Sequence, residues 1–208
     1  MSDAPTPFPF AHGAADLDRY ADWLCGVGVE RGLLGPRERA RIWERHILNC
    51  AVVGSAISAD SVVVDVGSGA GLPGIVLALV RPDLSVHLVE PMARRTEFLD
   101  EVVADLDLGR RVTVHRARAE ELAGTIKADV VTARAVVGLD RLVPLCVPLM
   151  KKGGAILAIK GARAATEIDS ARKVLGQFGL VPPEILTCGV GVVATPTTVI
   201  RLSRTTSH

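Results

Sequence analysis

Ser61-Val62-Val63-Val64-Asp65-Val66-Gly67-Ser68-Gly69-Ala70-Gly71-Leu72-Pro73-Gly74 is the stretch that decides the architecture. Residues 61–66 form a short β-branched run, the pattern of a strand buried on both faces of a parallel sheet. Residues 67–71 are a glycine turn, and 72–80 continue as an apolar helix. A chain turning sharply from strand to helix needs positive φ or close backbone approach, and glycine permits both.

Working outward, the same alternation recurs. Strand-like runs lie at 86–89, 111–115, 128–132 and 154–159. Between them, 92–106 places Phe98, Leu99, Val102, Val103 and Leu106 on one helical face, and 139–146 forms another helix. A last helix carries Ile168, Ala171, Leu175 and Phe178 on one stripe. Alternating strands and helices imply a doubly wound α/β fold with right-handed crossovers. Residues 183–202 offer two strand-like runs around a turn near 194–197, a C-terminal β-hairpin, which makes a mostly parallel seven-stranded sheet. Upstream, Leu17, Tyr20, Leu24 and Val27 recur at helical spacing, and Pro36 opens a second helix with Ile42, Trp43 and Ile47. Residues 1–60 are therefore expected to be an N-terminal helical extension, and 61–208 one compact ligand-binding domain.

Bulk properties narrow the class. The chain has 208 residues, 49% of them hydrophobic, which suits one domain with a sizeable core. A net charge of +1 predicts no global attraction to nucleic acid, so any such partner must meet a local patch. Residues 134–173 supply one, with eight basic and three acidic side chains. The alternative for that stretch is a solvated helix face. Cys25, Cys50, Cys146 and Cys188 are scattered without a CxxC pair, which implies reduced thiols and no metal site. Residues 1–10 lack the basic-then-apolar layout of a signal peptide, and no apolar run approaches the roughly 20 residues that span a bilayer. A cytoplasmic location without membrane attachment is expected.

In such sheets ligands bind beyond the carboxyl ends of the strands. Each strand delivers polar or glycine residues there: Asp65, Gly67, Ser68, Gly69 and Gly71 after the first, Glu90 after the second, Arg116, Arg118 and Glu120 after the third, Arg134 after the fourth, Lys160-Gly161 after the fifth. A glycine turn lets a ligand lie against main-chain N–H groups, and Glu90 is placed to accept from both ribose hydroxyls of a nucleoside. Gly69-x-Gly71-x-x-Gly74 also satisfies the dinucleotide fingerprint, so a pyrophosphate binder and a sulfonium binder both remain open. Asp65 at the strand end is positioned to help hold an amine, as adenosylmethionine carries.

With these residues in view, the chain resembles the small-subunit ribosomal RNA methyltransferase G (RsmG/GidB) family. The resemblance rests on Arg45-His46-Ile47-Leu48, DVGSGAGLPG at 65–74, Arg81-Pro82, Glu90, Arg118-Ala119-Glu120-Glu121, Arg134-Ala135 and Lys160-Gly161. It implies a class I, Rossmann-like fold and S-adenosyl-L-methionine as cofactor. It implies methyl transfer to N7 of one guanine in a decoding-region loop of 16S rRNA. It also implies that Gly67, Leu72, Ala119, Glu120 and Arg134 contact the cofactor. Where many relatives carry Asn-Leu-Thr, this chain has residues 33–38, Leu-Leu-Gly-Pro-Arg-Glu.

Arg45, His46, Arg118 and Lys160 are the RNA-binding candidates. The alternative for Arg134 is a structural ion pair with a rim carboxylate. No His–carboxylate or Cys nucleophile motif marks a catalytic residue. The expected partner is 16S rRNA or the small ribosomal subunit, with a monomer favoured. The competing readings are a methyltransferase of another acceptor, a nicotinamide-dependent oxidoreductase, and a non-catalytic cofactor-binding module.

Overall fold

The computed structural model describes residues 13–134, 137–161 and 163–204; the Pro-rich start and the Ala135 half of the Arg134-Ala135 motif lie outside them. Seven strands form one sheet in the order β3-β2-β1-β4-β5-β7-β6. They are β1 (Val62–Val66), β2 (Ser85–Val89), β3 (Val112–His115), β4 (Ala128–Arg134), β5 (Met150–Lys160), β6 (Glu184–Cys188) and β7 (Thr197–Ser203). β1 to β5 are parallel; β7 runs antiparallel between β5 and β6, with Ala158 opposite Ile200 and Leu186 opposite Val199. The expected hairpin is thus present, its second strand inserted into the sheet.

The helices are α1 (Ala14–Trp23), α2 (Asn49–Ala51), α3 (Gly74–Val80), α4 (Ala93–Asp105), α5 (Leu139–Cys146) and α6 (Ala164–Gln177). α3 begins at Gly74 rather than Leu72, because Leu72 and Pro73 are spent in the turn. The second N-terminal helix departs from a regular α-helix: a 3₁₀ stretch Pro36–Arg41 leads into a wider π-type stretch Ile42–Leu48, then α2 and a 3₁₀ turn Val52–Ala56. β5 starts at Met150, four residues before its expected start at Gly154.

Two apolar clusters flank the sheet. One joins Leu17, Tyr20, Leu24 and Ile47 from the N-terminal segment to α3, α4 and the Val63–Leu88 face. The other packs α5 and α6 on Val64, Val131 and Ile156. Every residue of α3 is buried, because that helix is enclosed by both the sheet and the N-terminal layer. The layer is fastened by directional contacts as well as by area. Trp23 stacks edge-on against Phe98 at 5.8 Å and donates its indole N–H to Asp105 at 2.9 Å. Arg31 forks onto Glu101 at 3.0 and 2.8 Å.

The contact that matters most for the rim is made by Tyr20. Its side chain is wholly buried, and its hydroxyl donates to the Ala70 carbonyl of the glycine turn at 2.7 Å. Tyr20→Phe removes that donor and leaves a buried carbonyl unsatisfied, so we expect a loss of about 1–3 kcal/mol in urea unfolding. An unchanged midpoint and slope would show that the tyrosine hydroxyl does not brace the turn.

Candidate active site

β1 ends against a turn whose geometry explains its glycines. Gly67, Gly69 and Gly71 have φ of 70°, 59° and 96°. A Cβ on Gly71 would lie 2.5 Å from Ile75 and 2.9 Å from the Tyr20 hydroxyl, so packing and conformation both require glycine there. Asp65 lies under the turn, fully buried, and does not line the cavity. Its Oδ2 accepts the Gly74 N–H at 3.0 Å, and Ser68 Oγ donates to the Asp65 carbonyl at 2.9 Å. Burial pushes the Asp65 carboxyl up to about 7, opposed by the Gly74 hydrogen bond. Its Oδ1 is buried without a hydrogen-bond partner.

Glu90, at the end of β2, is nearly fully buried. Oε2 accepts the Gly69 N–H at 3.1 Å and Oε1 accepts the Met92 N–H at 3.0 Å. Arg95 approaches Oε2 at 3.3 Å. A carboxylate oxygen has two lone pairs; those of Oε2 are both engaged, and Oε1 keeps one for a ligand. The turn and Glu90 border a cavity of about 670 Å³, with Leu72, Met92 and Ala119 as apolar walls and Glu120 and Arg118 at the mouth. That volume is in the range of small-ligand sites. The residues suit adenosylmethionine: a fixed acceptor for a ribose diol, a glycine turn open to the ligand, and apolar faces for a purine.

Arg134, at the end of β4, does not form the carboxylate ion pair that was its alternative reading. Its guanidinium donates to the Arg45 carbonyl at 3.0 Å, to His46 Nδ1 at 2.9 Å and to Cys50 Sγ at 3.4 Å. A guanidinium is only a donor, so His46 Nδ1 must accept and Nε2 must carry the proton. Nε2 then donates to Glu38 Oε2 at 2.7 Å. Burial lowers the His46 pKa, the Glu38 bond opposes that, and the Arg134 charge adds to it, all consistent with a neutral ring. The His46 bond holds the Glu38 carboxyl below its ordinary value.

A second cavity, about 760 Å³, adjoins the first at Arg134 and contains Arg45, Lys160, Arg163 and Glu167. Arg45 is exposed and pairs with Glu38 at 3.1 Å. Lys160 is held by Glu167 and by the Val137 carbonyl, each at 2.8 Å. Arg118 is exposed beside the first cavity. The structure therefore gathers Gly67, Ser68, Gly69, Leu72, Glu90, Ala119, Glu120 and Arg134 around one cavity, with Asp65 and Gly71 beneath it. Leu33, Leu34, Met92 and Arg95 also line it, and sequence reasoning assigned none of them to the site. Nor did it show that Glu38 orients His46. Among the described residues no cluster of metal-ligating side chains occurs.

The fold recurs in solved methyltransferases. An O-methyltransferase from Thermotoga maritima matches with TM-score 0.60 and 16% identity, covering 82% of this chain and 71% of that one. An O-methyltransferase family protein from Burkholderia thailandensis matches with TM-score 0.62 and 16% identity, covering 93% and 64%. At these identities the likeness is one of fold, and with the glycine turn and Glu90 it defines a class I adenosylmethionine-dependent methyltransferase. The sequence goes further. The family of rRNA small subunit methyltransferase G matches residues 14–191. Ribosomal RNA small subunit methyltransferase G of Salinispora tropica is 55% identical over 191 residues, covering 89% of this chain and 79% of that protein. The Renibacterium salmoninarum protein of the same name is 50% identical over 190 residues, covering 91% and 88%. This chain belongs to the rRNA small subunit methyltransferase G family, which sets aside the nicotinamide reading.

The buried acid has a measurable consequence. Its folded-state value is raised from the ordinary 3.8 to about 7, so the folded chain keeps a proton that the unfolded chain releases. The associated stability is complete below pH 3.8 and is lost as pH rises through 7. Asp65→Asn keeps an acceptor for Gly74 and cannot ionise. Between pH 4 and pH 8 the ligand-free wild type should lose on the order of 2–4 kcal/mol relative to this variant in urea titrations. Parallel pH profiles would contradict the assignment.

Proposed function

We propose that this enzyme transfers a methyl group from adenosylmethionine to N7 of a guanine in the decoding-region loop of 16S rRNA. The observation that carries the reading is the meeting of the two cavities at Arg134, one suited to a nucleoside and the other basic and open. Family membership supports the acceptor.

In this reading Gly67, Ser68, Gly69 and Leu72 form the floor for the cofactor. Glu90 accepts from the ribose, and Ala119 and Glu120 border the purine. Asp65 and Gly71 keep the turn in shape from below. Arg134 closes the boundary with the acceptor cavity. Arg45, His46, Arg118 and Lys160 face the RNA side or support residues that do. Of the extension 1–60, the described residues 13–60 brace the catalytic unit that begins at 61 and supply His46. Among the described residues no helix is long and apolar enough to cross a membrane. The reading puts a monomeric protein in the cytoplasm, acting on the small ribosomal subunit.

Bound adenosylmethionine supplies an electrophilic methyl on a sulfonium. Guanine N7 offers an in-plane lone pair and has no proton to lose, so direct in-line displacement needs no general base from the chain. The chain's task is alignment and exclusion of water. His46 is neutral, donates to Glu38 and accepts from Arg134, so it positions Arg134 and is not poised to take a proton.

Small subunits from a strain lacking this enzyme should accept labelled methyl from the purified protein at one guanine N7, located by mapping. Methylation of some other acceptor, with rRNA unmodified, would contradict the proposal. Glu90→Ala should weaken cofactor binding about 10- to 100-fold in equilibrium dialysis, the loss expected when charge-assisted hydrogen bonds are removed. Binding within twofold of wild type would remove Glu90 from the ribose site. The rate of the chemical step should lack a titration assignable to an enzyme base.

A further inference from the structure

The second cavity contains an ion pair that neither the fold nor the cofactor requires. Lys160 ends β5, and Glu167 lies in the first turn of α6. Their charged atoms are 2.8 Å apart, with side chains only 9% and 28% exposed. A pair so far out of water is weak evidence for stability, because desolvation offsets most of the attraction. Nor is the pair saturated. The Lys160 ammonium has three donors and gives one to the Val137 carbonyl; even with its charge facing Glu167, at least one remains. Glu167 Oε2 is buried and accepts no hydrogen bond of good geometry, its partner being the ammonium alone.

Resting on the guanine-N7 reading above, we propose that the Lys160–Glu167 pair selects guanine by reading its O6 and N1–H together. The lysine supplies a donor to O6, and the carboxylate accepts from N1–H. These two base atoms are neighbours on the ring, as the two charged groups are neighbours in the cavity. Adenine presents the reverse pattern, an amino group facing the ammonium and a bare N1 facing the carboxylate. A phosphate fits poorly, since the carboxylate stands beside the only spare donor of the pair.

The sheet order gives the same orientation. The cofactor cavity lies over β1 and β2, Arg134 ends β4, and Lys160 ends β5. Along the guanine edge the order is N7, O6, N1. With O6 at Lys160 and N1–H at Glu167, N7 points back across β4, past Arg134, to the cofactor cavity. A flipped-out base is commonly held by its pairing edge in this way. Glu167 lies on an amphipathic helix within residues 134–173, where a solvated face and a basic patch are the two sequence readings.

The test uses wild-type enzyme on small subunits reconstituted with guanine, inosine, adenine or 1-methylguanine at the target position. Guanine must be methylated; failure there contradicts the guanine-N7 reading itself. Inosine, which keeps O6 and N1–H, should be methylated. Adenine and 1-methylguanine should lose at least about 30-fold in kcat/KM, the range for a lost charge-assisted hydrogen bond. Equal rates for 1-methylguanine and guanine, or rejection of inosine as strong as that of adenine, would overturn the proposal. In parallel, Glu167→Gln and Lys160→Met should each lower kcat/KM about 30-fold with cofactor affinity held within about twofold. Unchanged kcat/KM in both variants would also overturn it, and the base-analogue arm decides the matter if either variant fails to fold.

Discussion

The rim of this sheet depends on one carboxylate held by main-chain hydrogen. Glu90 ties the turn after β1, through Gly69, to the turn after β2, through Met92. Both bonds run from neutral donors to a charge buried at the edge of a cavity, where a hydrogen bond is stronger than in water. They fix the acid's direction and leave a lone pair of Oε1 for a ligand. Without that clamp, the turn would keep only the Gly67 and Ser68 N–H bonds to the Val89 carbonyl of the neighbouring strand. The floor of the cofactor cavity and the ribose acceptor would no longer be set by the same contact.

Beneath the clamp, the turn is supported twice from elements far away in sequence. Asp65 holds the start of α3 through Gly74, and Tyr20 reaches the Ala70 carbonyl from the N-terminal layer. The same layer carries Glu38 and His46, which fix Arg134 at the end of β4. The N-terminal segment is thus part of the site's geometry, and the neutral His46 tautomer is what allows a guanidinium to be held without a carboxylate. Arg134 keeps its charge uncancelled at the boundary of two cavities, where a substrate edge rich in acceptors would lie.

Much of this was legible in the residues, and the gaps have physical causes. The parallel core strands announce themselves as valine-rich runs because burial on both faces leaves no polar alternation. Gly69 and Glu90 could be placed at one rim because parallel strands bring their carboxyl ends to the same edge of the sheet. Bonds such as Tyr20 to Ala70 and Asn49 to Thr197 have no local period, so nothing in the chain betrays them. The same holds for Glu38, which accepts from His46. Arg134 could be assigned to the rim, but its partners were invisible, since a backbone carbonyl and a thiol leave no pattern. The 3₁₀ and π-type turns of the second N-terminal helix likewise fell outside a regular apolar stripe.

The most direct test is a crystal structure of the enzyme with S-adenosylhomocysteine, the demethylated cofactor. The account places the ribose hydroxyls on Glu90, the nucleoside against Leu72, Met92 and Ala119, and the sulfur facing the boundary at Arg134. A ligand seated in the cavity lined by Lys160 and Glu167, or one whose ribose makes no contact with Glu90, would contradict it.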